Sequence, residues 1–301
     1  MLATRRLVLL LLVALFAQVG VTLPAAAQTP PARTPEPTAP GKVHRLTLRN
    51  GSQLIGRVLS VDSDSVRFES DLGVTMIARA NIVAFVEEQP GYVQQGRYFF
   101  PNPNETRLVF APTGRMLKRG EGYFMDFWIF FPSVAYGVTD RITLGGGISI
   151  LPGVEFRDQL LFFTPKVGVV MGDRFNVAVG ALALTLPEVF EGEGRTSAGI
   201  LYAAGTGGSS DHSVTAGIGY GYVNDRLADA PTLMVGGETR VAPRLSLVTE
   251  NYFFSGGSGM LSGGFRFMGR DISVDLSFMR PMDGDGGESF WFPMLGFMWK
   301  W

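Results

Sequence analysis

The chain offers few side chains with catalytic chemistry. It has no cysteine and only two histidines, His44 and His212, so disulfides, Cys-ligated metals, iron–sulfur clusters and thiol nucleophiles are excluded. A Ser–His or Asp–His site needs the imidazole within hydrogen-bond reach of its partners. His212 stands between Asp211 and Ser213, but adjacent residues point to opposite faces of a strand, so it reads as a turn residue. His44 reads as a surface residue. Gly145-Gly146-Gly147 is followed by no Lys-Ser or Lys-Thr pair and is no phosphate loop. Asp283-Gly284-Asp285-Gly286-Gly287-Glu288 alternates acid and glycine but lacks the ligand spacing of a complete calcium loop, and reads as a solvated loop. The expectation is no enzyme, no metal and no cofactor.

What remains is charge set inside apolar segments. Arg107, Asp126, Lys166, Glu238, Arg240, Glu250, Arg266, Asp275 and Lys300 each take the parity opposite to the apolar set of their segment. They nearly cancel. If the segments form one closed wall, these charges either line a water-filled path and tune its selectivity or pair into a network that fills the interior. The sequence leaves both open. Gly145, Gly147, Gly217, Gly219, Gly221 and Gly264 share that parity; they leave room inside or permit curvature.

The elements that must carry these residues are strands. Among 301 residues, Lys and Arg number 26 and Asp and Glu 27, for a net charge of −1. Nucleic-acid binding calls for a basic surplus, and none exists. Glycine (39 residues) and aromatics (12%) are abundant, a composition of turns and strands rather than helices. At the N-terminus Arg5 and Arg6 precede the apolar run 7–16, which grades into Pro24-Ala25-Ala26-Ala27. This is the order of a secretory signal peptide, residues 1–27, too short for a membrane-spanning helix. Residues 28–42 form a Pro-rich linker of extended character.

Residues 43–88 read as a small β-domain. Leu46 and Leu48 alternate with polar neighbours, Asn50-Gly51 supplies a two-residue hairpin turn, and further turns fall at Asp62-Ser63-Asp64 and Asp71-Leu72-Gly73. The pattern GSQLIGRVLSVDSDSVRFESDLGVTMIARANIVAFVE resembles Sm-like or SH3-like barrels, a resemblance that implies a small β-barrel or roll. Members of the Sm-like family often bind RNA. The exported address points instead to a periplasmic packing or docking module.

After a linker at 89–103, residues 104–301 change character. In HSVTAGIGYGYV, Val214, Ala216, Ile218, Tyr220 and Tyr222 share one face, and small residues take the other; Ile272, Val274, Leu276 and Phe278 likewise oppose Ser273, Asp275 and Ser277. Twelve candidate strands fall near 106–113, 122–138, 141–152, 160–171, 174–187, 198–207, 212–223, 232–242, 245–255, 259–268, 272–281 and 290–301. Most reach the roughly 9–11 residues that a tilted membrane-spanning strand needs. Tight turns at Thr139-Asp140, Gly172-Asp173, 242–244 and 269–271 alternate with longer loops near 153–159, 188–197, 224–231 and 283–289, the arrangement of a transmembrane barrel. The long loops are mostly acidic.

Leu295, Phe297, Trp299 and Trp301 share one face of the terminal segment. This resembles the C-terminal insertion signal of bacterial outer-membrane barrels, and implies outer-membrane lipid and the barrel assembly machinery as partners. The expected fold is therefore all-β, a transmembrane antiparallel β-barrel of about 12 strands (10–12) preceded by a small β-barrel or roll domain. The expected location is the bacterial outer membrane, with the N-terminal domain in the periplasm. Two functions fit: a porin-like passive channel or transporter for a small solute, or a non-conducting structural or receptor barrel whose small domain docks a periplasmic protein.

Overall fold

The computed structural model describes residues 43–70, 72–87, 92–94, 97–186, 196–224, 226–282 and 290–301. The signal and linker expectations for 1–42, and the acidic loops at 187–195 and 283–289, lie outside the described residues.

The small domain consists of β1 (Val43–Leu48), β2 (Gln53–Val61), β3 (Ser65–Ser70), β4 (Gly73–Ala78) and β5 (Ile82–Glu87), with one 3-10 turn at Arg79–Asn81. They form one antiparallel sheet in the order β4-β3-β2-β1-β5. Period-two alternation turns Leu46, Val58, Val66, Phe68 and Ile77 into a single apolar core. The first hairpin is one residue longer than Asn50-Gly51 implies. Gly51 N–H donates to Leu48 O at 2.9 Å and Gly51 has φ +82°, so Arg49 and Asn50 are the central residues and Gly51 supplies the left-handed position. His44 is fully buried and stacks on Phe85, with ring centroids 4.4 Å apart. The surface reading of His44 is therefore corrected: His44 shares the parity of Leu46 in β1, which turns its ring to the core face of the sheet.

A short two-stranded sheet, β6 (Tyr92–Gln94) and β7 (Arg97–Phe99), follows. The barrel begins with β8 (Gly122–Phe127), β9 (Phe131–Thr139) and β10 (Ile142–Ile148). One wall position is then shared by β11 (Leu161–Phe163) and β12 (Lys166–Met171). The interruption falls at Pro165, which has no N–H for the ladder. Next come β13 (Phe175–Leu186), β14 (Thr196–Gly208), β15 (His212–Val223) with the small partner β16 (Arg226–Leu227), and β17 (Thr232–Ala242). The wall ends with β18 (Leu245–Phe253), β19 (Gly259–Met268), β20 (Ile272–Met282) and β21 (Phe292–Lys300). β21 pairs antiparallel with β8, Lys300 opposite Tyr123 and Gly296 opposite Phe127. The sheet thus closes into a twelve-stranded antiparallel barrel, an arrangement with no free edge.

The alternation reads directly on the wall. In β15, Val214 and Ile218 are 64% and 44% exposed while Thr215 is fully buried. In β20 the exposed set is Ile272, Leu276 and Phe278, against buried Ser273, Asp275, Ser277 and Met279. An apolar face turned outward is how a barrel meets lipid. Phe297, Trp299 and Trp301 join that outer face, and Trp301 and Gly122 exchange backbone hydrogen bonds at 2.9 and 3.1 Å.

The wall departs from the expected twelve strands at two places, and the two departures compensate. Residues 106–113 are not a wall strand. Leu108, Val109 and Ala111 are buried together with Thr106 and Thr113, so the segment has no lipid-facing side. It forms a tight hairpin of its own, with Leu108 N–H donating to Ala111 O at 2.9 Å and Thr113 N–H to Thr106 O at 3.0 Å. Residues 122–138, read as one long strand, are two. β8 and β9 are joined by a turn through Trp128 (φ 52°) and Ile129 (φ 68°), which lacks the glycine or asparagine that normally marks left-handed positions.

Candidate functional site: a segment seated in the lumen and the cavity beside it

The inner face of the wall holds residues 100–118 of the chain itself. Arg266, fully buried, forks onto Asp275 with Nε–Oδ1 2.8 Å and Nη2–Oδ2 2.7 Å, and donates from Nη1 to Glu238 Oε2 at 2.7 Å. Its remaining donor capacity goes to the segment: Nη1 to Asn104 O at 3.1 Å and Nη2 to Leu108 O at 2.7 Å. Glu238 accepts from Asn102 Nδ2 through its other oxygen at 2.9 Å. Arg240 ion-pairs with Asp211 at 2.9 Å and donates to Phe100 O at 2.7 Å.

Glu250 is likewise fully buried. Its Oε2 accepts the backbone N–H groups of Phe110 (2.8 Å) and Ala111 (2.9 Å), and its Oε1 accepts the Tyr252 hydroxyl at 2.6 Å. Tyr252 lies two residues along β18, so strand period alone sets it beside Glu250 on the inner face. Lys166, placed at the start of β12 by the Pro165 break, donates to Thr106 O at 3.3 Å and Arg115 O at 2.5 Å. On the second limb, Gly114 N–H donates to Thr206 Oγ1 at 2.8 Å, and Arg115 donates to the carbonyls of Gly208 and Ser209.

Wall glycines make room for the segment. A Cβ on Gly236 would stand 2.6 Å from Leu108 Cδ1, and one on Gly137 would stand 2.2 Å from Lys118 O and 3.1 Å from Leu117 Cβ. Leu108, Val109, Ala111 and Leu117 then pack with Met125, Met234, Val248, Met279, Met294 and Met298 into one apolar cluster. The seat is therefore doubly held, by charged side chains on backbone groups and by apolar burial.

Of the charges singled out in the sequence, Lys166, Glu238, Arg240, Glu250, Arg266 and Asp275 all stand on the inner face and converge on this segment or on each other. Arg107 belongs to the segment rather than to the wall; it donates to Phe110 O at 2.7 Å and to the Tyr123 hydroxyl at 3.3 Å. Lys300 is half-buried and pairs with Glu121 at 3.2 Å beside the C-terminus. Asp126 is not in the lumen. In β8 the inner set is Tyr123, Met125 and Phe127, which turns Asp126 outward with Phe124. There its Oδ1 accepts the Phe131 N–H at 3.2 Å across the short turn.

The sequence reading missed the segment itself. The signal available was Pro101, Pro103 and Pro112 close together, which no interior wall strand tolerates, and a set of wall charges that demanded partners. His212 Nδ1 lies 2.7 Å from Thr239 Oγ1 on the neighbouring strand. Among the described residues no group of three or more His, Cys, Asp and Glu side chains could hold a metal ion.

A cavity of about 500 Å³ adjoins the segment. Leu182, Ile200, Met234, Met260, Phe254 and Phe292 line its walls, all toward the strand ends that lead into the longer connections. Its floor is the segment and its anchors: Arg107, Phe110, Pro112, Lys166 and Glu250.

Together these features define the class: a closed β-barrel of the outer-membrane type that carries part of its own chain in the lumen. No protein-family model matches the chain, and no curated protein matches it. Among solved structures it is similar to the KdgM porin in complex with disordered oligogalacturonate, at 7% identity and TM-score 0.43, covering 60% of this chain and 96% of that one. It is similar to the NanC porin at 9% identity and TM-score 0.36, covering 60% and 98%. The outer membrane protein Omp33 of Acinetobacter baumannii matches at 8% identity and TM-score 0.34, covering 60% and 95%.

Proposed function

We propose that the chain is an outer-membrane barrel of porin-like architecture that passes a small solute, with residues 100–118 as the gate of its lumen. One observation carries this reading: buried Lys166, Arg240, Glu250 and Arg266 each hydrogen-bond a backbone group of the segment. In a simple diffusion pore such charges would face an open aqueous path. Here solute passage requires the segment to shift.

The sheet order of the small domain, with its 3-10 turn before the last strand, supports the Sm-like or SH3-like likeness. A signal sequence at the N-terminus and an even strand count support a periplasmic position for that domain. A protein docked there is joined to the gate through residues 88–99. The filled lumen also favours a second reading, a non-conducting receptor barrel.

Planar-bilayer recording of the full mature chain separates the two. The gated reading expects rare openings in the native chain and steady, salt-dependent openings once the segment is unseated by substitution at Glu250. Folded, heat-modifiable barrels silent in both forms would favour the receptor.

A further inference from the structure

The cavity beside the gate has a composition that selects its ligand. Its volume, about 500 Å³, lies inside the roughly 300–1,000 Å³ range of small-molecule sites. Four methionines, Met234, Met260, Met279 and Met294, contribute to the lining; unbranched, polarizable side chains adapt to flexible apolar bodies. A sugar or other hydrophilic solute would find few partners along these walls.

The floor is different. Arg107 and Lys166 both line it, and among the described residues neither has a carboxylate within ion-pair distance. The lumenal carboxylates are otherwise engaged: Asp211 with Arg240, Glu238 and Asp275 with Arg266. Glu250, the acidic group that shares the floor, has its oxygens turned to Phe110 N–H, Ala111 N–H and the Tyr252 hydroxyl. Arg107 Nε is buried with no acceptor, as is Thr143 Oγ1 in the same cavity. Lys166 has three donors and two carbonyl partners. Lys166 is buried and Arg107 is half-buried beside it, with Glu250 as the one acidic group on the floor and its oxygens already taken; a buried cation short of a carboxylate is costly, and an anion that reaches the pair offsets that cost.

We propose that this cavity binds a small amphipathic anion, an apolar chain or ring bearing one carboxylate, with the carboxylate on Arg107 and Lys166 and the apolar body against the methionine-lined wall. The ligand touches the gate itself, since Arg107 lies on it and Lys166 holds it. The site names the substrate class of the transporter proposed above, and for transport it rests on that reading.

The test is saturable quenching of Trp128, a cavity-lining residue, by 11-bromoundecanoate in lipid nanodiscs holding the full mature chain. Trp128→Phe gives the background from the other tryptophans, and 11-bromoundecanol is the uncharged comparison. The expected result is binding of the acid at least tenfold tighter than the alcohol, with the preference lost in Arg107→Met and in Lys166→Met. Arg107→Met alone suffices if Lys166→Met does not refold. Equal affinity for acid and alcohol, no saturable Trp128 quenching, or a preference that survives both substitutions would overturn the proposal. Binding with no conductance in the unseated variant removes the transport reading and leaves the site. Conductance with no binding does the reverse.

Discussion

Replacing Glu250 by leucine strips the gate of its acidic anchor while keeping side-chain bulk in the lumen. Two backbone N–H groups, those of Phe110 and Ala111, lose their acceptor, and the Tyr252 hydroxyl loses its partner. A buried donor left unsatisfied costs about 1–3 kcal/mol, so the two amides together weaken the seated state by about 2–6 kcal/mol. The apolar replacement removes the desolvation cost of a buried carboxylate and offsets part of this. A net loss of about 3–4 kcal/mol shifts the seated-to-unseated ratio roughly 100- to 1,000-fold, at about 1.4 kcal/mol per tenfold.

Because the chain has no cysteine, a single Val109→Cys substitution reports on the gate cleanly; Val109 is 2% exposed. Where reclosing is faster than labelling, maleimide modification follows the opening equilibrium. Labelling in the Glu250→Leu background should rise by about two to three orders of magnitude over native Glu250. A rate within twofold of the parent, in a barrel that still shows heat-modifiable migration, would refute the idea that Glu250 holds the segment.

Three further outcomes are expected. Ile129→Gly should raise the urea-unfolding free energy of the refolded barrel by about 1 kcal/mol, because a β-branched residue at φ 68° carries backbone strain that glycine relieves. Asp126→Asn should leave the ion selectivity of the unseated barrel unchanged in reversal-potential measurements, since Asp126 stands outside the lumen on the face of Phe124; Lys166→Met, facing inward, should shift it. His44→Ala should loosen the small domain without touching the barrel, as the ring is fully buried on Phe85. A loss of about 2 kcal/mol would appear as faster proteolysis within 43–87 at unchanged barrel migration.

The legible parts of the fold were those with local periodicity. β15 and β20 declare inside and outside through every second residue, and the aromatic set ending at Trp301 does the same. Turns marked by glycine, proline or Asp also appeared where the sequence put them. What failed was anything decided across the lumen. Residues 106–113 resemble a short strand because Leu108 and Phe110 alternate with neighbours, yet Thr106, Leu108, Val109, Ala111 and Thr113 are all buried against the inner wall while Phe110 faces the lumenal cavity, a placement no local pattern records. Trp128 and Ile129 hide a hairpin because neither residue type signals a turn, and the parity of Asp126 inverted with it. The inner charges were visible as a set on one parity. Their partners on the segment were not, because those are backbone carbonyls and amides distant in sequence, 51 residues away for Lys166 and Arg115 and 140 for Glu250 and Phe110.

The most direct test of the lumenal seat is a covalent one. Met116 Cγ lies 2.9 Å from the position a Cβ would take on Gly168 of β12, close enough for a bond between cysteines introduced by Met116→Cys and Gly168→Cys. Oxidation of the double variant in membranes should form that bond in high yield, with barrel migration unchanged and the lumen held closed until reductant is added. Two free thiols, both readily modified by a bulky membrane-impermeant maleimide under oxidising conditions, would place the segment outside the barrel and contradict the account.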